Sequence, residues 1–111
     1  MKVHSTDIEG LLVIEPNVFR DNRGYFLEHY CKQRYKKAGV ECEFVQDNQS
    51  YSKRGVLRGL HYQLRQAQAK LVRVSQGSVF DVVVDIRRGS PTYKKWFGLE
   101  LSESKNTQIF I

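Results

Sequence analysis

A chain of 111 residues, 41% of them hydrophobic, has apolar material for one core and too little for two, so a single domain spanning residues 1–111 is expected. No run approaches the roughly 20 consecutive apolar residues of a membrane helix, and the mixed opening Met1-Lys2-Val3-His4-Ser5 is unlike a hydrophobic export signal, which predicts a soluble, cytoplasmic protein without a membrane partner. The formal net charge of +6 favours an anionic partner, while basic residues spread singly or in pairs such as Lys36-Lys37, Arg87-Arg88 and Lys94-Lys95 argue against a nucleic-acid face.

In chain order, Leu11-Leu12-Val13-Ile14 forms a short apolar run closed by Pro16, and Asp21-Asn22-Arg23-Gly24 is a turn signal before Tyr25-Phe26-Leu27. The one convincing helix runs from about Tyr30 to Ala38, with Lys32, Gln33, Arg34, Lys36 and Lys37 on its wet side and Gly39 at its end. It is expected to cover one edge of a sheet. Cys31 and Cys42 lack a C-x-x-C spacing and read as reduced thiols. Strands are predicted over Glu43 to Asn48, Gly55 to Gln63, Lys70 to Ser75, Ser78 to Ile86, Lys95 to Leu101 and Thr107 to Ile111. Gln76-Gly77 is predicted as a hairpin turn, with further turns at Gly89-Ser90-Pro91 and Ser102 to Asn106. Such spacing indicates a β-sandwich or barrel. The apolar run Thr107 to Ile111 is expected either to pair with another chain or to need a continuation of the sheet.

Gly55 to Gln63 carries the most chemical information. Strict alternation places Arg58 and His61 on opposite faces of a strand, so a bulge at Gly59 is expected if both face one cavity. His61 has a side chain suited to proton abstraction near neutral pH, whereas His4 lies at the terminus and His29 at the helix entrance. No H-x-H pair is present, and no metal is expected. Lys70 could polarise a carbonyl oxygen and hold an enolate, although a strand-end lysine is more commonly just solvated. Asp81 shares a face with Val79 and Val83 and is expected to be a buried carboxylate partnered by Lys70, Arg58 or His61. Gln46-Asp47-Asn48, Arg23 and Glu28 are able to hold phosphates, ribose hydroxyls or a base edge, and are otherwise ordinary surface residues. Phe19, Tyr25, Phe26, Tyr62, Phe80, Trp96 and Phe110 are by default core, with one or two free to stack on a base.

Five motifs stand in register over nearly the whole chain: Phe19 to Glu28, Phe44 to Asn48, Gly55 to Gln63, Lys70 to Val74, and Val79 to Asp85 followed by Arg87, Ser90-Pro91-Thr92 and Trp96. Together they resemble the dTDP-4-dehydrorhamnose 3,5-epimerase family. The resemblance implies a mainly β fold, a cupin-like jelly-roll β-barrel with one short helix, of which this chain covers the N-terminal part. It also implies a homodimer built by strand exchange, no cofactor, and a dTDP-sugar substrate inverted at C3 and C5 beside a C4 ketone. Carried over by position, His61 looks like the proton acceptor and Lys70 like the group that stabilises the enolate; Asp81 joins them as a catalytic candidate from its place in an apolar strand rather than from the resemblance. Arg58, Gln46 and Asn48 look like ligands of the sugar and diphosphate, and Asp47 between the last two is kept as a substrate-binding candidate. Phe19, Arg23 and Glu28 look like parts of the nucleotide site. The family's acid tyrosine, the carboxylate that pairs with the base, and a further pocket histidine map onto none of these residues, so the 111 residues alone are expected to lack turnover. The competing readings are a nucleotide-sugar-binding module without turnover, a C3-only or C5-only dTDP-hexose epimerase, and a small basic nucleic-acid binder with an OB-like barrel.

Overall fold

Four short strands, three of them largely apolar, build the central sheet. The computed structural model describes residues 1–111 throughout, and its elements in chain order are β1 (Lys2–Ser5), β2 (Leu12–Glu15), β3 (Val18–Asp21), β4 (Gly24–Leu27), α1 (Lys32–Lys37), β5 (Leu71–Arg73), β6 (Ser78–Val84), β7 (Trp96–Ser102) and β8 (Gln108–Phe110). Strands β1, β2, β8 and β5 form one antiparallel sheet in that order. The chain's last strand, β8, therefore lies in the middle, with Ile109 opposite Val13 on one side and Val72 on the other. Both of its edges are paired within the chain, so β8 itself offers no free edge to another strand.

Period two sends successive β8 side chains to opposite faces of this sheet. Ile109 is fully buried with Ile8, Leu11 and Leu101, against which Val72, Val74, Val83, Phe97 and Leu99 pack. On the other face Ile14, Tyr35 and Val40 form a second core, flanked by Leu12, Phe44, Leu71 and Phe110. A central strand apolar on both faces is the consequence. The buried exception is Gln108, whose Oε1 accepts from the Tyr35 hydroxyl at 2.9 Å and whose Nε2 donates to the His29 carbonyl at 2.9 Å. Burial raises the Tyr35 phenol above its ordinary value.

Helix α1 covers a face of the sheet, through Tyr35, its only buried residue, and not an edge as expected. Its end is a Schellman arrangement: Gly39 N–H donates to the Lys36 carbonyl at 3.2 Å and Val40 N–H to the Tyr35 carbonyl at 3.0 Å. Gly39 takes φ +96 there, and Val40 drops into the core beside Tyr35.

The remaining strands form two hairpins, β3–β4 and β6–β7. Since β5 pairs with β8 and β6 with β7, Gln76-Gly77 is not a hairpin turn; it carries the chain from one sheet to another, and the Gly77 N–H donates to Glu103 Oε2 at 3.0 Å. Ser102 to Asn106 makes the reverse crossing, from β7 to β8. The fold is mainly β with one short helix, as expected, and none of its three sheets closes on itself. The strands predicted at Glu43 to Asn48 and Gly55 to Gln63 are absent: residues 38–70 contain neither helix nor strand, and residues 45–70 are exposed throughout. Those segments have strand-like composition but no neighbouring strand in this chain to take their backbone hydrogen bonds.

The turn joining β6 to β7 is held by Asp85, 3% exposed. Its carboxylate accepts from Arg87 Nε and Nη2 at 2.9 Å, Ser90 Oγ at 2.6 Å and Thr92 Oγ1 at 2.7 Å. Arg87 first, then the two hydroxyls, hold the carboxyl far below its ordinary 3.8. A group depressed on folding stabilises the fold fully above its unfolded value and loses that contribution as pH falls towards the folded value. Asp85→Asn is therefore expected to lower the Tm at pH 7 and to flatten its decline below about pH 4, as read by thermal melts across an acid series; parallel Tm–pH curves would refute this.

Candidate functional site

The β3–β4 hairpin presents most of the candidate nucleotide residues. Its register sets Phe19 opposite Phe26 and Arg20 opposite Tyr25, so the two phenylalanines share one face. On the other face the Arg20 guanidinium lies 5.2 Å from the Tyr25 ring centroid. Phe19 and Phe26 are 63% and 71% exposed. The default assignment of Phe19, Tyr25, Phe26, Tyr62, Phe80 and Trp96 to the core is thus corrected, since all six are exposed and Phe110 alone packs against a core. The hairpin closes through Asn22-Arg23, with Asp21 opposite Gly24. Asp21 accepts from the Arg23 backbone N–H at 2.8 Å and its Nη2 at 2.6 Å, which holds the Asp21 carboxyl below its ordinary value.

Glu28 follows the hairpin and is bound by Arg34 of α1, whose Nε donates at 2.7 Å and whose Nη2 donates to the second carboxylate oxygen. That pairing lowers the Glu28 carboxyl. Phe19, Phe26, Glu28, Arg34 and Tyr35 line a cavity of about 260 Å³, and a second of about 460 Å³ lies at the hairpin tip between Phe19 and Arg23. Apolar rings and a charged pair lining one cavity suit a flat, hydrogen-bonding ligand. The sequence indicated Phe19, Arg23 and Glu28 as nucleotide candidates, named Phe26 only among aromatics assigned by default to the core, and placed Arg34 on the wet side of the helix. The register of the hairpin was the available signal for Phe26, and a lone acid ahead of a basic helix the signal for Arg34.

The catalytic candidates are not gathered in the same way. His61 is exposed within the irregular segment, where Gly59 adopts φ +106 and a Cβ at that position would sit 3.6 Å from His61 Nδ1. The glycine is thus required by its backbone angle rather than by a bulge in a strand. Lys70 is exposed beside β5, its backbone paired both ways with Ile111 at 2.8 and 2.9 Å. Neither His61 nor Lys70 lines the two cavities. Arg58 donates to Ser52 Oγ at 2.8 Å and to the Tyr51 carbonyl at 3.2 Å. Gln46 Nε2 donates to Asn48 Oδ1 at 3.2 Å, with Asp47 exposed between them. No three His, Cys, Asp or Glu side chains converge as a metal-binding group, and no helix is long and apolar enough to cross a membrane.

Asp81 lies half-buried on β6, opposite Leu99 of β7, on the face that also carries Val79 and Val83. The ion pairs of the structure leave it unpaired, so the expected partnership with Lys70, Arg58 or His61 is not formed. Burial alone raises its carboxyl above the ordinary value. A carboxyl raised on folding imposes a cost in stability that begins as pH rises through its unfolded value and is fully present above its folded value. Asp81→Asn is accordingly expected to raise the Tm at pH 7, and the gain should vanish in acid; a lower Tm at pH 7 would show that the carboxylate has a stabilising partner.

Comparison with known proteins adds a consistent set of relatives. The family whose model matches residues 5–111 is described as dTDP-4-dehydrorhamnose 3,5-epimerase. The chain is 53% identical to the dTDP-4-dehydrorhamnose 3,5-epimerase of Pseudomonas aeruginosa over 100% of its own length and 62% of that protein's. It is similar, at 48% identity and a TM-score of 0.94, to the dTDP-6-deoxy-D-glucose-3,5-epimerase of Legionella pneumophila crystallised with dTDP-4-keto-L-rhamnose, covering 99% of this chain and 59% of that one. It is also similar, at 44% identity and a TM-score of 0.95, to the Bacillus anthracis dTDP-4-dehydrorhamnose 3,5-epimerase with TDP and PPi bound, covering 99% and 64%. The chain thus spans roughly three-fifths of the length of these relatives.

Proposed function

Because the chain belongs to the dTDP-4-dehydrorhamnose 3,5-epimerase family, we propose that it forms part of an enzyme that epimerises dTDP-4-dehydro-6-deoxy-D-xylo-hexose at C3 and C5, on the route to dTDP-L-rhamnose. The observation that carries this reading is the likeness, at 48% identity and TM-score 0.94, to a protein holding dTDP-4-keto-L-rhamnose. His61 takes the proton from the carbon beside the ketone; the C–H electron pair moves into the ring and the carbonyl oxygen becomes an enolate oxygen. Lys70 holds that negative charge. Asp81, a carboxylate kept half-buried at a cost, completes the catalytic set. A proton delivered to the opposite face of that carbon by the family's acid tyrosine, which maps onto none of these 111 residues, returns the enolate to the ketone and inverts the centre.

Phe19 and Phe26 stack on the base, Glu28 and Arg23 bind its edge and the ribose, and Arg58, Gln46, Asp47 and Asn48 bind sugar and diphosphate. These groups reach one substrate when residues 45–70 find a partner surface. Val45, Leu57 and Leu64 are 92%, 90% and 89% exposed, a loss of apolar burial and backbone pairing that a second copy of the chain would relieve by strand exchange. Such a homodimer, with its sheets completed into a jelly-roll barrel, brings His61 and Lys70 into one hollow. Sedimentation equilibrium is expected to return twice the chain mass; a monomer at all concentrations would remove this step.

Proton NMR in deuterated water tests the chemistry. The 111 residues alone are expected to bind dTDP without exchange, while the chain completed with the remaining C-terminal residues of the Pseudomonas aeruginosa relative is expected to place deuterium at C3 and C5. Exchange at only one of the two carbons would make it a monoepimerase, and none in the completed chain would overturn the assignment.

A further inference from the structure

The positive charge of this protein has an address. Of its 18 Lys and Arg residues, Lys53, Arg54, Arg58, Arg65, Lys70 and Arg73 fall between Asn48 and Phe80, a stretch without a single Asp or Glu. The other 12 basic residues balance the 12 acidic ones, so this segment carries the whole net charge of +6. All six side chains are exposed. Elsewhere Arg23, Lys32, Arg34, Arg87 and Lys105 are matched to carboxylates, but none of the six has a carboxylate within reach. Charges left unpaired along one segment sum into a field that extends beyond contact distance.

Resting on the nucleotide-sugar reading above, we propose that this segment is an electrostatic funnel that captures the diphosphate group, in which Lys53, Arg54 and Arg65 draw the dianion in without touching it. An extended chain reaches at most about 3.6 Å per residue, which keeps Arg65 within roughly 14 Å of His61 and Lys53 within roughly 18 Å of Arg58. Those distances are comparable with the Debye length, about 10 Å at 0.1 M salt and about 30 Å at 0.01 M, so the remote cations act at low and moderate ionic strength. Steering of this kind accelerates association and leaves dissociation nearly unchanged, because the steering charges make no contact in the complex.

The test is stopped-flow association of fluorescently labelled dTDP with the chain and with the combined variant Lys53→Gln, Arg54→Gln, Arg65→Gln, from about 0.01 M to about 1 M salt. The variant is expected to associate roughly three- to tenfold more slowly at low salt, to dissociate at the unaltered rate, and to match the parent at high salt. Equal association rates at low salt, or a change confined to dissociation, would overturn the funnel while leaving the nucleotide site standing. Absence of dTDP binding in every arm would refute the nucleotide reading and the funnel with it. A single-stranded oligonucleotide that binds more tightly than dTDP at every salt concentration would show that the segment serves a polymer instead.

Discussion

Replacing His61 by Asn in the chain completed to the length of its relatives is expected to lower solvent-deuterium incorporation at C3 and C5 by roughly 10²- to 10⁴-fold, the usual contribution of a positioned general base. The carboxamide keeps a polar group of similar reach but has no basic nitrogen, so the C–H bond has no acceptor for its proton. In the proposed site, dTDP is held by other residues, among them the Phe19–Phe26 face and Glu28, which Arg34 holds, so dTDP affinity should change little. A kcat loss with KM retained is the signature of an interaction made only in the transition state. A decrease smaller than tenfold would move the role of base to another residue and take the mechanism with it.

The largest effect on stability is expected at Ile109, where replacement by Ala should cost about 2–5 kcal/mol. The side chain is fully buried at the centre of β8, packed with Ile8, Leu11 and Leu101. Its strand is bonded to β2 and β5 at once, which limits how far the surroundings can close around the void. Against a total of about 5–15 kcal/mol for a small domain, that is a large share. Urea denaturation should show the midpoint falling at an unaltered slope. Ile86→Ala, at a site 53% exposed, should shift stability by no more than about 0.5 kcal/mol; similar losses at the two positions would contradict the placement of the core.

Local pattern was sufficient for the β hairpin around Asp21-Asn22-Arg23-Gly24, for the helix ended by Gly39, and for the apolar segments that became β2, β5, β6, β7 and β8, because alternation, turn chemistry and a C-terminal glycine act over a few residues. The ordered motifs likewise indicated the family, and with it the candidate residues. Which strands pair is another matter. That Gln76-Gly77 passes between sheets, and that β8 lies between β2 and β5, follows from which apolar faces meet across the molecule; local pattern is the same for either outcome. The same holds for Phe26, whose ring the register of β3–β4 sets beside Phe19 on an open face, and for Asp81, left unpaired because the cations proposed for it lie elsewhere. Residues 43–63 show the limit most clearly: their composition favours strand, but a strand exists only where another backbone accepts its hydrogen bonds, and within this chain none lies alongside.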